Sequence, residues 1–166
     1  MYIKGNQLIR NQKKGKNMGN KIIKYGGFIA MSLILYFLIV RLVGLHENPW
    51  LRLLNGVIVA FGIYKVIKDV KKESGASFNY FEGFKAGIIS GFVATLIFTL
   101  FMGIYIFHID TEFAEKIMAM SLGSVATEPG LLLFIILIEG FASTVVLSLL
   151  FMQKFKPSWN ISNKLQ

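Results

Sequence analysis

The sequence predicts an all-α integral membrane bundle of four transmembrane helices. Both termini are expected on the cytoplasmic side, with a short amphipathic helix on the outer face between spans 3 and 4. Three observations lead there. Hydrophobic residues make up 54% of the 166-residue chain and charged ones 16%, against roughly 25% charged in soluble proteins; mean hydropathy is +0.58. Apolar runs of spanning length recur along the chain. Between them, lysine-bearing and acid-bearing segments alternate.

Residues 1–24 hold seven of the 18 basic residues and no acid. They show no apolar stripe at helical spacing and read as a disordered cytoplasmic arm. The apolar stretch Tyr25 to Leu45 exceeds the core of a signal peptide, and no small-x-small cleavage site follows it. It is expected to stay as the first span, 25–45, with Arg41 one turn inside its far end, where its long side chain can snorkel to the headgroups.

His46-Glu47-Asn48-Pro49 makes a turn, and Pro49 suits the first position of the next helix. The second span, 50–67, is the shortest: only the 12 residues Leu53 to Tyr64 lack charge, with Arg52 and Lys65 expected to snorkel in opposite directions. Charge placement decides that it crosses. The segment after it carries Lys65, Lys68, Lys71, Lys72 and Lys85 against Asp69, Glu73 and Glu82. The segment after span 3 carries Asp110, Glu112, Glu115 and Glu128 against Lys116. The tail, 154–166, carries Lys154, Lys156 and Lys164 without an acid. Lysine and arginine favour the cytoplasmic side, and the alternation works only if all four segments cross. Val66 and Val70 continue the second helix inward as far as Ser74-Gly75. The aromatic cluster Ser77-Phe78-Asn79-Tyr80-Phe81 is expected at headgroup level.

Span 3, 84–107, includes the 22 uncharged residues Ala86 to Phe107. Gly83, Gly87 and Gly91 are spaced by four, and Thr95 and Thr99 continue the row, so one helix face is nearly bare backbone. In lipid, close approach at small residues supplies much of the attraction between helices. This span is therefore expected to be the packing hub, either within the chain or between copies. Phe113, Ala114, Ile117 and Met118 lie at helical spacing over Asp110 to Met120, the outer helix. Glu128-Pro129 opens span 4, 129–153.

Two runs carry a family resemblance: Ser77-Phe78 through Phe81-Glu82-Gly83-Phe84-Lys85-Ala86-Gly87, and Phe107-His108-Ile109-Asp110-Thr111-Glu112-Phe113-Ala114-Glu115-Lys116. With the order and spacing of the spans, roughly residues 20 to 155 resemble a family of small four-span bacterial membrane proteins, catalogued as domain of unknown function 4199. The resemblance implies a fold and a membrane address, and no activity; the expected location is the cytoplasmic (inner) membrane.

Glu139 is the ionisable residue nearest the middle of any span. On an ideal helix Ser143 lies about 40° from it, Gly140 about 100° and Thr144 about 140°. This polar, small-residue arc is expected to pack inward on the glycine face of span 3. One reading makes Glu139 and Ser143 a proton- or cation-linked site; the other makes Glu139 a protonated carboxyl hydrogen-bonded across helices as structural glue. The helix-packing set is Gly83, Gly87, Gly91, Thr95, Gly140 and Thr144.

Enzyme motifs are missing. Leu122-Gly123-Ser124 is not a nucleophile elbow, no His-Glu-x-x-His occurs, and the glycine row sits in a membrane span, where a phosphate loop cannot form. Zero cysteines exclude disulfides, thiolate catalysis and Cys-ligated zinc, and His46 and His108 lack metal-ligand spacing. No cofactor, metal or nucleic acid is expected. The expected partners are the bilayer, anionic headgroups near the cytoplasmic lysines, and a second copy or another membrane protein. The functions to separate are therefore a non-enzymatic accessory or scaffold protein and a small oligomeric proton- or cation-linked transporter or channel using Glu139.

Overall fold

The computed structural model describes residues 2–45, 48–113, 116–117 and 129–155. It contains four long helices, α1 (Tyr2–Leu42), α2 (Pro49–Ser74), α3 (Tyr80–Ile104) and α4 (Pro129–Phe155), and no strand among the described residues. All four are long and apolar enough to cross a membrane, including α2. The chain is a multi-pass membrane protein.

Local chemistry explains where the helices begin and end. Asn48 caps α2, its Oδ1 accepting from Trp50 N at 3.0 Å, and Pro49 occupies the first turn. An asparagine satisfies one of the helix's orphan donors there, and proline loses nothing by lacking an N–H. Asn79 does the same for α3, accepting from Glu82 N at 2.8 Å. α1 ends at Gly44, with φ +75°. Gly44 N donates to Arg41 O and Leu45 N to Val40 O, the paired bonds of a glycine-terminated helix. α2 ends at Gly75, φ +54°, whose N–H reaches Lys71 O. A single 3-10 turn, Gly75–Ser77, leads into α3.

The N-terminal segment differs from expectation. α1 begins at Tyr2, so the basic arm continues the first span as helix. From Asn17 onward its side chains explain why. Ile22 is buried, Met18 packs against the same cluster, and Lys21 pairs with Glu73 of α2. A lone helical periodicity could not reveal partners that another helix supplies. At the other end of α3 the backbone widens into a π-helical turn, Tyr105–Ile109, and Asp110 N bonds back to Tyr105 O at 3.0 Å. Of the outer helix expected over Asp110 to Met120, residues 111–113 and 116–117 are described. They are helical, and Phe113 and Ile117 are buried; its other positions lie outside the described residues. So do Glu128 and the tail from 156 onward.

Neighbouring helices alternate in direction. Lys21–Glu73 and Tyr25–Asp69 tie the start of α1 to the end of α2, and Tyr36 Oη donates to Leu51 O at 2.9 Å near the opposite end. α3 touches each of the others: Gly26 of α1 abuts Ser90 and Val93, Gly87 faces Ile63 of α2, and the glycine row faces α4. Two buried clusters fill the bundle. One, around Phe37, Phe98, Tyr105 and Phe113, lies toward the end of α3. The other, around Ile63, Val66, Val70, Phe78 and Met152, lies toward its start.

Candidate functional site

The α3–α4 seam uses every member of the helix-packing set. A side chain added at Gly83 would meet Met152 Sδ at 2.5 Å, one at Gly87 would meet Ser148 Oγ at 2.5 Å, and one at Gly91 would meet Thr144 Oγ1 at 2.5 Å. One at Gly140 would meet Thr95 Cγ2 at 2.6 Å. Each four-residue step along α3 is matched by a four-residue step back along α4, so an antiparallel pair meets at one turn after another. Where one helix offers a hydroxyl or thioether, the other offers glycine. Thr144 and Ser148 are fully buried, and each fills the space that a side chain on the facing glycine would need. Because α4 fills this face, the glycine row is not free to receive a second copy.

The polar arc of α4 does not pack as one unit. Gly140 and Thr144 turn to α3, while Glu139 and Ser143 line a cleft of about 210 Å³ between α2 and α4. The physical reason is angular. An arc of about 140° is wider than one helix neighbour can cover. The carboxylate therefore points to the flank instead of the glycine face, and its side chain is 58% exposed.

There it meets Arg52. Arg52 Nη2 donates to Glu139 Oε2 at 2.7 Å, so the arginine expected to snorkel outward instead turns toward α4. α2 and α4 run in the same direction, since Lys71 Nζ also donates to Phe155 O, 3.2 Å, at their far ends. Glu139 stands about 15 Å along α4 from Pro129 and about 24 Å from Phe155 at 1.5 Å per residue. Glu139 is thus well inside its span, and Arg52, three residues past Pro49, reaches it from the outer end of α2. A charge there costs on the order of 2.5–3.5 kcal/mol on insertion scales; pairing offsets part of that cost.

The rest of the cleft includes Asn55, Gly56 and Val59 of α2, Thr95 and Phe98 of α3, and Leu33 of α1. Asn55 Oδ1 is buried and accepts no hydrogen bond from the described residues. The sequence reading gives Arg52 only a snorkelling role and does not single out Asn55. The available signal was a cation and an amide, one turn apart, at the outer part of a short span whose neighbour carries an acid.

The outer end holds a second polar group. Arg41 sits 4.8 Å over the Tyr105 ring, and Tyr105 Oη donates to Asp110 Oδ2 at 3.0 Å. Asp110 Oδ1 also accepts from Phe113 N at 3.1 Å, which fixes the start of the outer helical turn. Phe37 and Phe113 meet Tyr105 edge-on, at 4.8 and 5.5 Å. This arrangement anchors the π turn and reads as structural. His46 lies outside the described residues, and His108 is exposed in the π turn. Among the described residues no three His, Cys, Asp or Glu side chains come together.

Comparison with known families agrees with the residues quoted above. The model of a family described as "Protein of unknown function (DUF4199)" matches residues 24–130. The chain belongs to this family. No curated protein and no solved structure matches. In this DUF4199 chain the matched region holds Arg52, Asn55 and Thr95 and ends at the start of α4, so Glu139 and Ser143 lie beyond it.

Proposed function

We propose that this DUF4199 protein is a non-enzymatic accessory or scaffold subunit of the bacterial inner membrane, and that the Arg52–Glu139 face of α2 and α4 is where it meets its partner. The observation that carries the reading is an acid deep in α4 joined to an arginine from the outer end of α2, with the glutamate side chain 58% and the arginine side chain 32% exposed. The bilayer core offers such groups no hydrogen bonds. Protein contact does. The glycine seam, already closed within the chain, supplies a rigid support for that face. Both termini are taken as cytoplasmic, because Lys65, Lys68, Lys71, Lys72, Lys85 and Lys154 gather at one end of the spans, where they also meet anionic headgroups.

The experiment is crosslinking in native membranes followed by sizing of the purified complex. The wild-type chain is expected to run in an assembly larger than itself, and the Arg52→Gln/Glu139→Gln double variant to run alone. Equal sizes for both would remove the reading. A second reading is proton- or cation-linked transport, favoured by the polar lining of the cleft: Asn55, Thr95 and Ser143 beside Glu139. It requires that Glu139→Gln assemble normally yet abolish a proton-linked flux in vesicles.

A further inference from the structure

We infer that the occupant of the Arg52–Glu139 face is a second copy of this chain, arranged about a two-fold axis along the membrane normal. The inference rests on the reading of that face as a protein-contact surface, and it names the partner. Four observations carry it.

The pair is under-used. A guanidinium offers five N–H donors and a carboxylate about four acceptor positions, yet a single Nη2–Oε2 bond joins Arg52 to Glu139. Both side chains are partly exposed, Arg52 at 32% and Glu139 at 58%.

The face is self-complementary. It carries one cation on α2 and one anion on α4, side by side. A two-fold rotation sets α2 of one copy against α4 of the other. Each arginine then faces the other copy's glutamate, and like charges stay apart. Because α2 and α4 run in the same direction, rotation about the membrane normal keeps each residue at its own depth. The axial offset already bridged within one chain is therefore the offset to be bridged between chains. Four charges in a closed ring use donors and acceptors that a single pair leaves over.

The surroundings suit helix contact. Gly56 lines the same cleft, and a side chain added there would meet nothing within 4 Å. Every glycine of the α3–α4 seam is filled by its neighbour; Gly56 is an open notch of the same kind, on a surface where small residues allow backbones to approach. Asn55 Oδ1, buried and without a donor, adds an acceptor at the edge. Leu53, 65% exposed, lines the same cleft and supplies packing beside the charges, and Val57, next to the notch in the chain and 61% exposed, stands on the side toward α1.

The test uses two differently tagged full-length chains, Arg52→Glu and Glu139→Arg, co-expressed and extracted in mild detergent. Each alone places like charges across the two-fold and is expected not to pair with itself. Together they restore opposite charges, and at least ten-fold more heterotypic than homotypic complex is expected. A role confined to one chain predicts no such rescue. As a second readout, the chain's lack of cysteine makes Leu53→Cys or Val57→Cys the only thiol. A short bifunctional thiol reagent is expected to give covalent dimers from these variants and none from Leu100→Cys on α3. If the reversed chains do not insert, the cysteine result decides by itself. Absence of heterotypic pairing together with absence of dimers at Leu53 and Val57 overturns the inference. In that case, loss of the native assembly in the Arg52→Gln/Glu139→Gln variant leaves the contact face standing with a different partner. An unchanged assembly sinks both.

Discussion

Gly91→Ala is the sharpest test of the seam between α3 and α4. The added Cβ would be crowded most by Thr144 Cγ2, and would stand 2.5 Å from Thr144 Oγ1 and 2.9 Å from Thr144 Cβ, where carbon atoms prefer about 3.5–4.0 Å. Oγ1 could swing away, but Cβ is fixed to the α4 backbone, and Thr144 is fully buried with a β-branched side chain that has little rotamer freedom. The helices must separate by several tenths of an ångström. That would loosen the neighbouring contacts at Gly87–Ser148 and Thr95–Gly140, because the three turns share one seam. Overpacking of this kind costs about 1–3 kcal/mol. The matched control is Gly103→Ala, whose Cβ would stand 3.5 Å from Leu133 Cδ1, an ordinary contact. There the change should stay within about 0.5 kcal/mol. Thr144→Ala in the Gly91→Ala background removes the two atoms that crowd most and leaves the Cβ. The pair should therefore be less than additive, with a coupling of about 1 kcal/mol or more. The assay is reversible unfolding in mixed micelles with increasing denaturing detergent, followed by loss of helical circular dichroism. A Gly91→Ala variant within 0.5 kcal/mol of wild type, or simple additivity with Thr144→Ala, would refute the reasoning.

Three further outcomes are expected. Glu139→Gln should destabilise the bundle by about 1–3 kcal/mol, the cost of leaving one hydrogen-bonding partner without the other, while Arg52→Gln/Glu139→Gln should cost less than either single change; thermal melts in detergent decide, and a double variant worse than both singles contradicts the pairing. Single cysteines test orientation: one at Ala76 should react with an impermeant maleimide only after the membrane is opened, and one at Leu45 in intact cells, with the reverse pattern inverting the topology. Gly44→Ala forces a side chain onto φ +75° and should lose about 1 kcal/mol, whereas Gly27→Ala, inside α1 with nothing near its Cβ, should be neutral or gain up to about 1 kcal/mol; equal melting shifts for the two would remove the glycine account of the α1 stop.

Some structure was legible because it depends on one stretch of chain at a time. The lengths of the apolar runs and the proline at the start of α2 are local facts. So is the spacing of Gly83, Gly87 and Gly91, which marks a bare helix face whatever lies opposite. Asn79 followed three residues later by Glu82 is likewise a local mark of a helix start, sitting within the aromatic border of α3. The helical continuation before Tyr25 was not legible. It depends on Ile22 and Lys21 finding α2.

The charged site shows the boundary most clearly. Sequence by itself determined that Glu139 is an acid inside an apolar run and needs a partner, since lipid supplies none. Only the tertiary structure decided that the partner is Arg52 and not the glycine face. That outcome depends on which helices lie side by side, how far each is shifted along its axis, and which flank of α4 the seam with α3 leaves over. Those quantities come from packing all four helices at once, and no single helix carries them in its own residues.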